Sequence, residues 1–217
     1  MPKLRHAVLA SALALTALAA VAADGILTTP ERFFRAIDID YADGVADLLA
    51  HGVDPNLRNA KGQPALTFAL FDQSLAAAKV LWNAKGVDLD ARNNADETPL
   101  MMAALRAEED AAEALLARGA SLQKTGWTPL HYAATGGDAK IVKLFLAKGA
   151  AIEARSPNNS TPLMMAARYG SDEAVDALLA AGADRSAKND LGMDAAAFAT
   201  SAGRDKLAAR LKAGAAK

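Results

Sequence analysis

Thr98-Pro99-Leu100-Met101-Met102-Ala103-Ala104 returns as Thr128-Pro129-Leu130-His131-Tyr132-Ala133-Ala134 and again as Thr161-Pro162-Leu163-Met164-Met165-Ala166-Ala167. A second motif, two large apolar residues and then a glycine, is interleaved with it. It appears at Leu48-Leu49 with Gly52, Leu115-Leu116 with Gly119, Phe145-Leu146 with Gly149 and Leu178-Leu179 with Gly182. Leu81-Trp82 with Gly86 carries one extra residue. A fixed period of thirty-odd residues is the mark of a repeat array, in which no single copy can bury its own apolar face.

Each motif predicts a local structure. Thr before Pro starts a helix: the hydroxyl caps free amides, and Pro sits at the first helical position, where its missing N–H costs nothing. Leu and the Ala pair form the inner face of that short helix. Ile141, Val142, Leu144, Phe145 and Leu146 have the spacing of a second helix. Gly149 and its counterparts end it in the left-handed conformation. The polar stretch 154–159 that follows is turn-rich.

Motif and period together resemble the ankyrin repeat, whose signature Thr128 to Ala134 matches throughout. Weaker copies at Pro64–Ala69, Asp194–Ala199 and Thr29-Pro30 followed by Phe33 and Phe34 extend the array over about residues 28–214. The resemblance implies an all-α ankyrin-repeat solenoid of about six helix-turn-helix units with short β-turn fingers. The units fall near 28–62, 63–96, 97–126, 127–159, 160–192 and 193–217, within one domain, 24–217. In this family the histidine after Thr-Pro-Leu makes structural hydrogen bonds between units. It survives only as His131; Thr67, Met101, Met164 and Ala197 replace it elsewhere.

Composition fits thin helical layers. Alanine supplies 55 of the 217 residues, aromatics are 5%, and there is no cysteine. Alanine favours helix and lets helix backbones approach closely. Zero cysteine excludes disulfides and thiol chemistry. A net charge of −1 gives no basic excess for nucleic acid.

Residues 1–23 read as a secretory signal peptide. Lys3 and Arg5 precede an uncharged run from Ala7 to Ala23, and small residues before Asp24 allow cleavage after Ala23 or after Ala22. The run is short and Ala-rich for a spanning helix. The expected address is the bacterial periplasm, with no stable membrane insertion once the leader is removed.

No catalytic pattern is present: His51 and His131 lie in different repeats, and phosphate-loop, zinc-protease and nucleophile-elbow motifs are absent. The sequence therefore implies a monomeric, non-enzymatic protein without cofactor or metal that binds another protein as adaptor, stabiliser or inhibitor, including immunity-type inhibition of a periplasmic enzyme. The alternatives are a stress-related accessory protein supporting a periplasmic redox enzyme, and a small metal-dependent site near Asp88, Asp90, Asp96 and Glu97 at a short finger. That finger, between Gly119 and Thr128, is three residues shorter than the one between Gly149 and Thr161, and so should notch the surface. The resemblance places exposed positions after each Ala-Ala pair and just before each Thr-Pro. The candidate partner-binding residues are Phe71, Asp72, Leu105, Arg106, Trp127, Arg168, Tyr169 and Met193, because aromatic, Met and Arg side chains concentrate at interface centres. Met102, Tyr132, Met165 and Phe198 hold a core position in the family.

Overall fold

The computed structural model describes residues 28–213. The leader at 1–23 lies outside the described residues. The chain divides into two compact units, one ending at Val87 and the other beginning at Asp88. All regular structure among the described residues is helical, apart from one isolated bridge between Arg58 and Pro64.

The first unit holds two helix pairs: α1 (Thr29–Asp38) with α2 (Ala42–Ala50), and α3 (Ala65–Phe71) with α4 (Leu75–Asn83). The second holds four: α5 (Pro99–Leu105) with α6 (Glu109–Ala117), α7 (Pro129–Gly136) with α8 (Ala139–Ala147), α9 (Pro162–Tyr169) with α10 (Asp172–Ala180), and α11 (Ala195–Ser201) with α12 (Asp205–Ala213). Within each unit the first helices of successive pairs pack side by side as an inner row, and the second helices form an outer row.

The helix starts follow the capping chemistry with one shift. Thr98 and Thr161 each accept the N–H of the residue three on, Met101 and Met164, at 3.4 Å. In the first repeat Thr28, not Thr29, is the cap. Glu31 lies three residues after Thr28, and its carboxylate accepts the Thr28 N–H at 2.7 Å and hydroxyl at 2.8 Å. That closes a capping box and draws the Glu31 carboxyl below its usual range. Asp194 caps α11 in the same way, taking the Ala197 N–H at 2.8 Å.

The core is a thin sheet of leucine, isoleucine and alanine, with Phe33, Leu66, Leu81, Leu100, Leu115, Leu130, Ile141 and Phe145 fully buried or nearly so. Because the layers are thin, side chains of one repeat reach the backbone of the next. Asn56 donates to the Gly86 carbonyl, and Asp40 accepts the Ala77 N–H, in the first unit. In the second, Asp90 accepts from Ser121 N–H, Gln123 donates to the Gly149 carbonyl, and Glu153 accepts from Asp184 N–H. Arg204 reaches several groups of the preceding repeat at once. Its guanidinium donates to the carbonyls of Ala166, Ala167 and Gly170 at 2.8–3.0 Å and pairs with Asp172. It thereby adds a donor to the carbonyls at the end of α9, where the Ala166 carbonyl also accepts the Gly170 N–H.

The outer row alternates in charge. Helix α6 carries Glu109, Asp110 and Glu113; α8 carries Lys140 and Lys143; α10 carries Asp172, Glu173 and Asp176; α12 carries Lys206, Arg210 and Lys212. Lys140 meets Glu109 at 2.9 Å and Arg210 meets Asp176 at 3.1 Å. The acids at the start of α6 thus serve the helix dipole and also pair with the next repeat.

Two glycines at inner-helix ends are set by packing. A Cβ on Gly136 would lie 2.5 Å from the Ala104 carbonyl oxygen and 2.9 Å from that of Leu105, and one on Gly170 would run into the Ala134 oxygen. These are backbone atoms that cannot swing aside. Gly149, by contrast, meets nothing within 4 Å but has φ +87°. Gly136→Ala is therefore expected to cost about 3 kcal/mol through a forced backbone shift. Gly149→Ala should cost about 1 kcal/mol, through φ strain alone. Urea unfolding followed by circular dichroism checks the order; equal losses would refute the packing account.

Candidate protein-binding surface

The polar groups along the inner row settle the role of the histidine. The backbone N–H of Thr128 donates to His131 Nδ1 at 3.2 Å, so that nitrogen accepts. Nε2 then carries the proton and donates to the Ser160 carbonyl of the next repeat at 3.0 Å. The ring is fully buried. In the neighbouring repeats methionine replaces only the accepting half of this arrangement. Thr98 N–H points at Met101 Sδ at 3.4 Å, and Thr161 N–H at Met164 Sδ at 3.3 Å. A thioether is a weak acceptor with no proton to give, so the bond to the next repeat is lost. His131 is a structural staple.

Burial without a nearby anion pulls the His131 pKa down from 6.5 to about 4. Unfolded chains therefore take up the proton first as the pH falls. The staple's stability is complete above pH 6.5 and drains away between 6.5 and about 4. The loss should reach about 3 kcal/mol at the lower end. His131→Met should flatten this acid limb and lower stability at neutral pH by about 1 kcal/mol, for the lost bond to Ser160. Unfolding free energies from pH 4 to 8 for both proteins check this; a parallel pH dependence in the two would refute it.

The fingers share a turn that the sequence reading missed. Asn59, Asn93, Ser156 and Asn189 each accept, through the side chain, the N–H four residues on, and donate their own N–H to the carbonyl at the same position. All four stand five residues before the next helix cap, at Pro64, Thr98, Thr161 and Asp194. That spacing was the available signal. The short finger has Gln123 at the corresponding place and does not make the turn. Instead, Lys124 buries its stem and reaches Asp96, which also takes Arg92 at 3.2 Å. The two cations hold the Asp96 carboxyl below its usual range. Under this finger lies a cleft of about 190 Å³ lined by Asp90, Arg92, Thr98, Ser121, Gln123, Lys124 and Pro129.

The acids that the sequence grouped as a metal candidate are each engaged locally. Asp88 accepts the Asp90 N–H, Asp90 that of Ser121, and Glu97 accepts from the Tyr132 hydroxyl and the Asn93 amide. Among the described residues no group of three or more His, Asp or Glu is placed to hold a metal ion.

Of the eight candidate binding residues, Phe71 (42% exposed), Asp72, Arg106, Arg168 and Tyr169 (56%) face solvent, while Leu105, Trp127 and Met193 are half-buried. Phe71 and Asp72 belong to the first unit and the other six to the second. Arg168 lies over the Tyr169 ring, 5.1 Å from its centroid, so a cation and an aromatic are presented together. Trp127 sets its ring edge-to-face against His131, with centroids 5.3 Å apart. It therefore braces its own repeat while showing one side.

The assignment of Tyr132 and Met165 to the core needs correction. Both are only half-buried, unlike Met102 and Phe198. Tyr132 reaches toward the finger, where its hydroxyl donates to Glu97 at 2.7 Å. Its ionisation is pushed up by burial and by the Glu97 carboxylate. Leu191, 78% exposed at the tip of the Asn189 turn, was also missed. Counting two residues on from Asn189 would have found it.

A family model for ankyrin repeats, in three copies, matches residues 33–125 and 120–189. The chain belongs to the ankyrin-repeat family. It is similar to a transient receptor potential cation channel subfamily A member 1 homolog from Caenorhabditis elegans, 32% identical over 107 residues, which are 48% of this chain and 9% of that protein. Among solved structures, it resembles the immunity protein in the complex of the Bd0816 predatory endopeptidase from Bdellovibrio bacteriovorus with immunity protein Bd3460. There the TM-score is 0.68 and the identity 28%, with 82% of this chain and 96% of that chain covered. The human ASB11 ankyrin repeat domain shares the fold at TM-score 0.71 and 24% identity, over 83% of this chain and 82% of that one. Ankyrin repeats are protein-interaction modules.

Proposed function

We propose that this chain is an exported, monomeric immunity-type protein that binds and inhibits a cell-wall peptidase in the periplasm through its inner-helix ends and fingers. The observation that carries the reading is the likeness to an immunity protein in complex with an endopeptidase, which spans 96% of that chain. Likeness over nearly all of that chain differs in kind from the match to the channel relative, where the chain spans 9% of a much longer protein. The leader pattern at 1–23 supports export, since a protein guarding against such a peptidase has to share its compartment. Among the described residues no helix is long and apolar enough to cross a membrane.

The exposed side chains suit such a role. Phe71 on one unit, and Arg106 with the stacked Arg168–Tyr169 pair on the other, are aromatic and arginine anchors of the type that dominates interface energetics. Inhibition is the direct test. The chain lacking residues 1–23 is added to each exported peptidoglycan endopeptidase of the source organism, and release of peptide from purified sacculi is followed. At least one enzyme should be inhibited at a one-to-one ratio, and Phe71→Ala with Tyr169→Ala should weaken that inhibition by about tenfold or more. Full activity of every enzyme with excess wild-type protein would refute the reading.

A further inference from the structure

We propose that a groove between the outer helices α2 and α4 of the first unit binds the alkyl chain of a free fatty acid, with the carboxylate held by Lys85. The inference stands apart from the inhibitor reading: it concerns the outer row, whereas Phe71 ends an inner helix.

The groove has a volume of about 370 Å³. Leu49, Val53 and Pro55 line one side and Val80 the other; apart from Asn83 and Lys85 its walls are hydrocarbon. Two departures from the repeat pattern shape those walls. The first is Ala46, two residues before the Leu48-Leu49 pair. The corresponding residues of the next four repeats are Lys79, Glu113, Lys143 and Asp176. Helix α2 therefore presents a methyl group to the groove where a charged side chain would lie over the apolar surface. The second is the extra residue between Leu81-Trp82 and Gly86, which changes how α4 ends. Its C-cap Ala84 is extended, with φ −65° and ψ 144°. His51, Arg118, Lys148 and Ala181 instead close their helices with φ between −83° and −94° and ψ between 0° and 13°. The chain thus leaves the helix axis at Ala84, and Ala84 and Lys85 become part of the wall.

Size and charge select the ligand. The volume lies at the small end of ligand sites, and a helix, about 10 Å across, is too wide for it. One extended alkyl chain would take its methylenes out of water against the hydrocarbon walls. Lys85 is exposed and, among the described residues, makes no hydrogen bond or ion pair. The acids next to the groove in sequence face other groups: Asp47 lies 3.4 Å from His51, and Asp54 accepts the Asn56 N–H at 2.9 Å. An unpaired ammonium in the wall of an apolar groove is the complement of an amphiphile with an anionic head.

The chain lacking residues 1–23 is titrated with decanoate, below its micelle concentration, by isothermal calorimetry. Saturable one-to-one binding is expected. Lengthening the chain from octanoate to decanoate should tighten it about fivefold, for two methylenes partly removed from water. Decylammonium, and a decanoyl lysophosphatidylcholine with its zwitterionic head, should each bind about tenfold more weakly than decanoate, since neither brings a net anion to Lys85. Ala46→Glu should abolish binding by placing a charge in the groove. Lys85→Glu should reverse the order of decanoate and decylammonium. Both positions are exposed, so melting followed by circular dichroism should match wild type. Absence of saturable decanoate binding would overturn the inference, as would equal binding of the three head groups or a decanoate affinity unmoved by Ala46→Glu. Self-association that Ala46→Glu removes, seen by sedimentation without any decanoate binding, would assign the groove to a second copy and overturn it too. None of these results bears on inhibition of a peptidase, so the two proposals fail separately.

Discussion

The close approach of one inner helix to the next is the constraint on which this protein depends. Where α7 ends, Gly136 lies against the carbonyls of Ala104 and Leu105; where α9 ends, Gly170 lies against that of Ala134. At this separation small residues are favoured where helices meet, and buried alanines such as Ala69, Ala103, Ala104, Ala133, Ala134, Ala166 and Ala167 supply them. A layer this thin cannot hold a polar group in isolation, so backbone groups at helix ends are satisfied from the adjacent repeat. Arg204 on the carbonyls of α9 and His131 on Ser160 are two solutions to one problem.

The same constraint accounts for the surface. Side chains excluded from the thin core are displayed at helix ends and fingers, and the few large ones there are not interchangeable. Arg168 stacks on Tyr169, Trp127 leans on the buried histidine, and Tyr132 donates to a finger carboxylate. A surface assembled from side chains already held in place is suited to tight recognition, because ordering them costs little at the moment of binding. Charge is handled separately. The outer row alternates acidic and basic helices, which neutralises the array locally and keeps the net charge near zero without leaving a basic stripe.

Asp88, Asp90, Asp96 and Glu97 are each engaged in local bonds, and the ankyrin array around them is a protein-interaction module. The short finger, which suggested a small polar site, is better understood through its consequences. It replaces a regular turn with Lys124 reaching Asp96.

Most helix starts and ends, the period and the repeat class were determined by the sequence alone, because Thr-Pro capping in the central copies, glycine after the second helices and apolar spacing act over a few residues and recur along the chain. Which glycines were packing residues, that Tyr132 turns outward to Glu97, that the acids of α6 answer the lysines of α8, and that Thr28 outcompetes Thr29 as a cap were decided by the tertiary structure or by side-chain geometry. Each of those outcomes depends on an atom that a neighbouring turn or the next repeat brings within hydrogen-bonding or van der Waals reach, some thirty residues away along the chain in most cases. A motif records which residue is present; the stacked neighbour decides what that residue can touch.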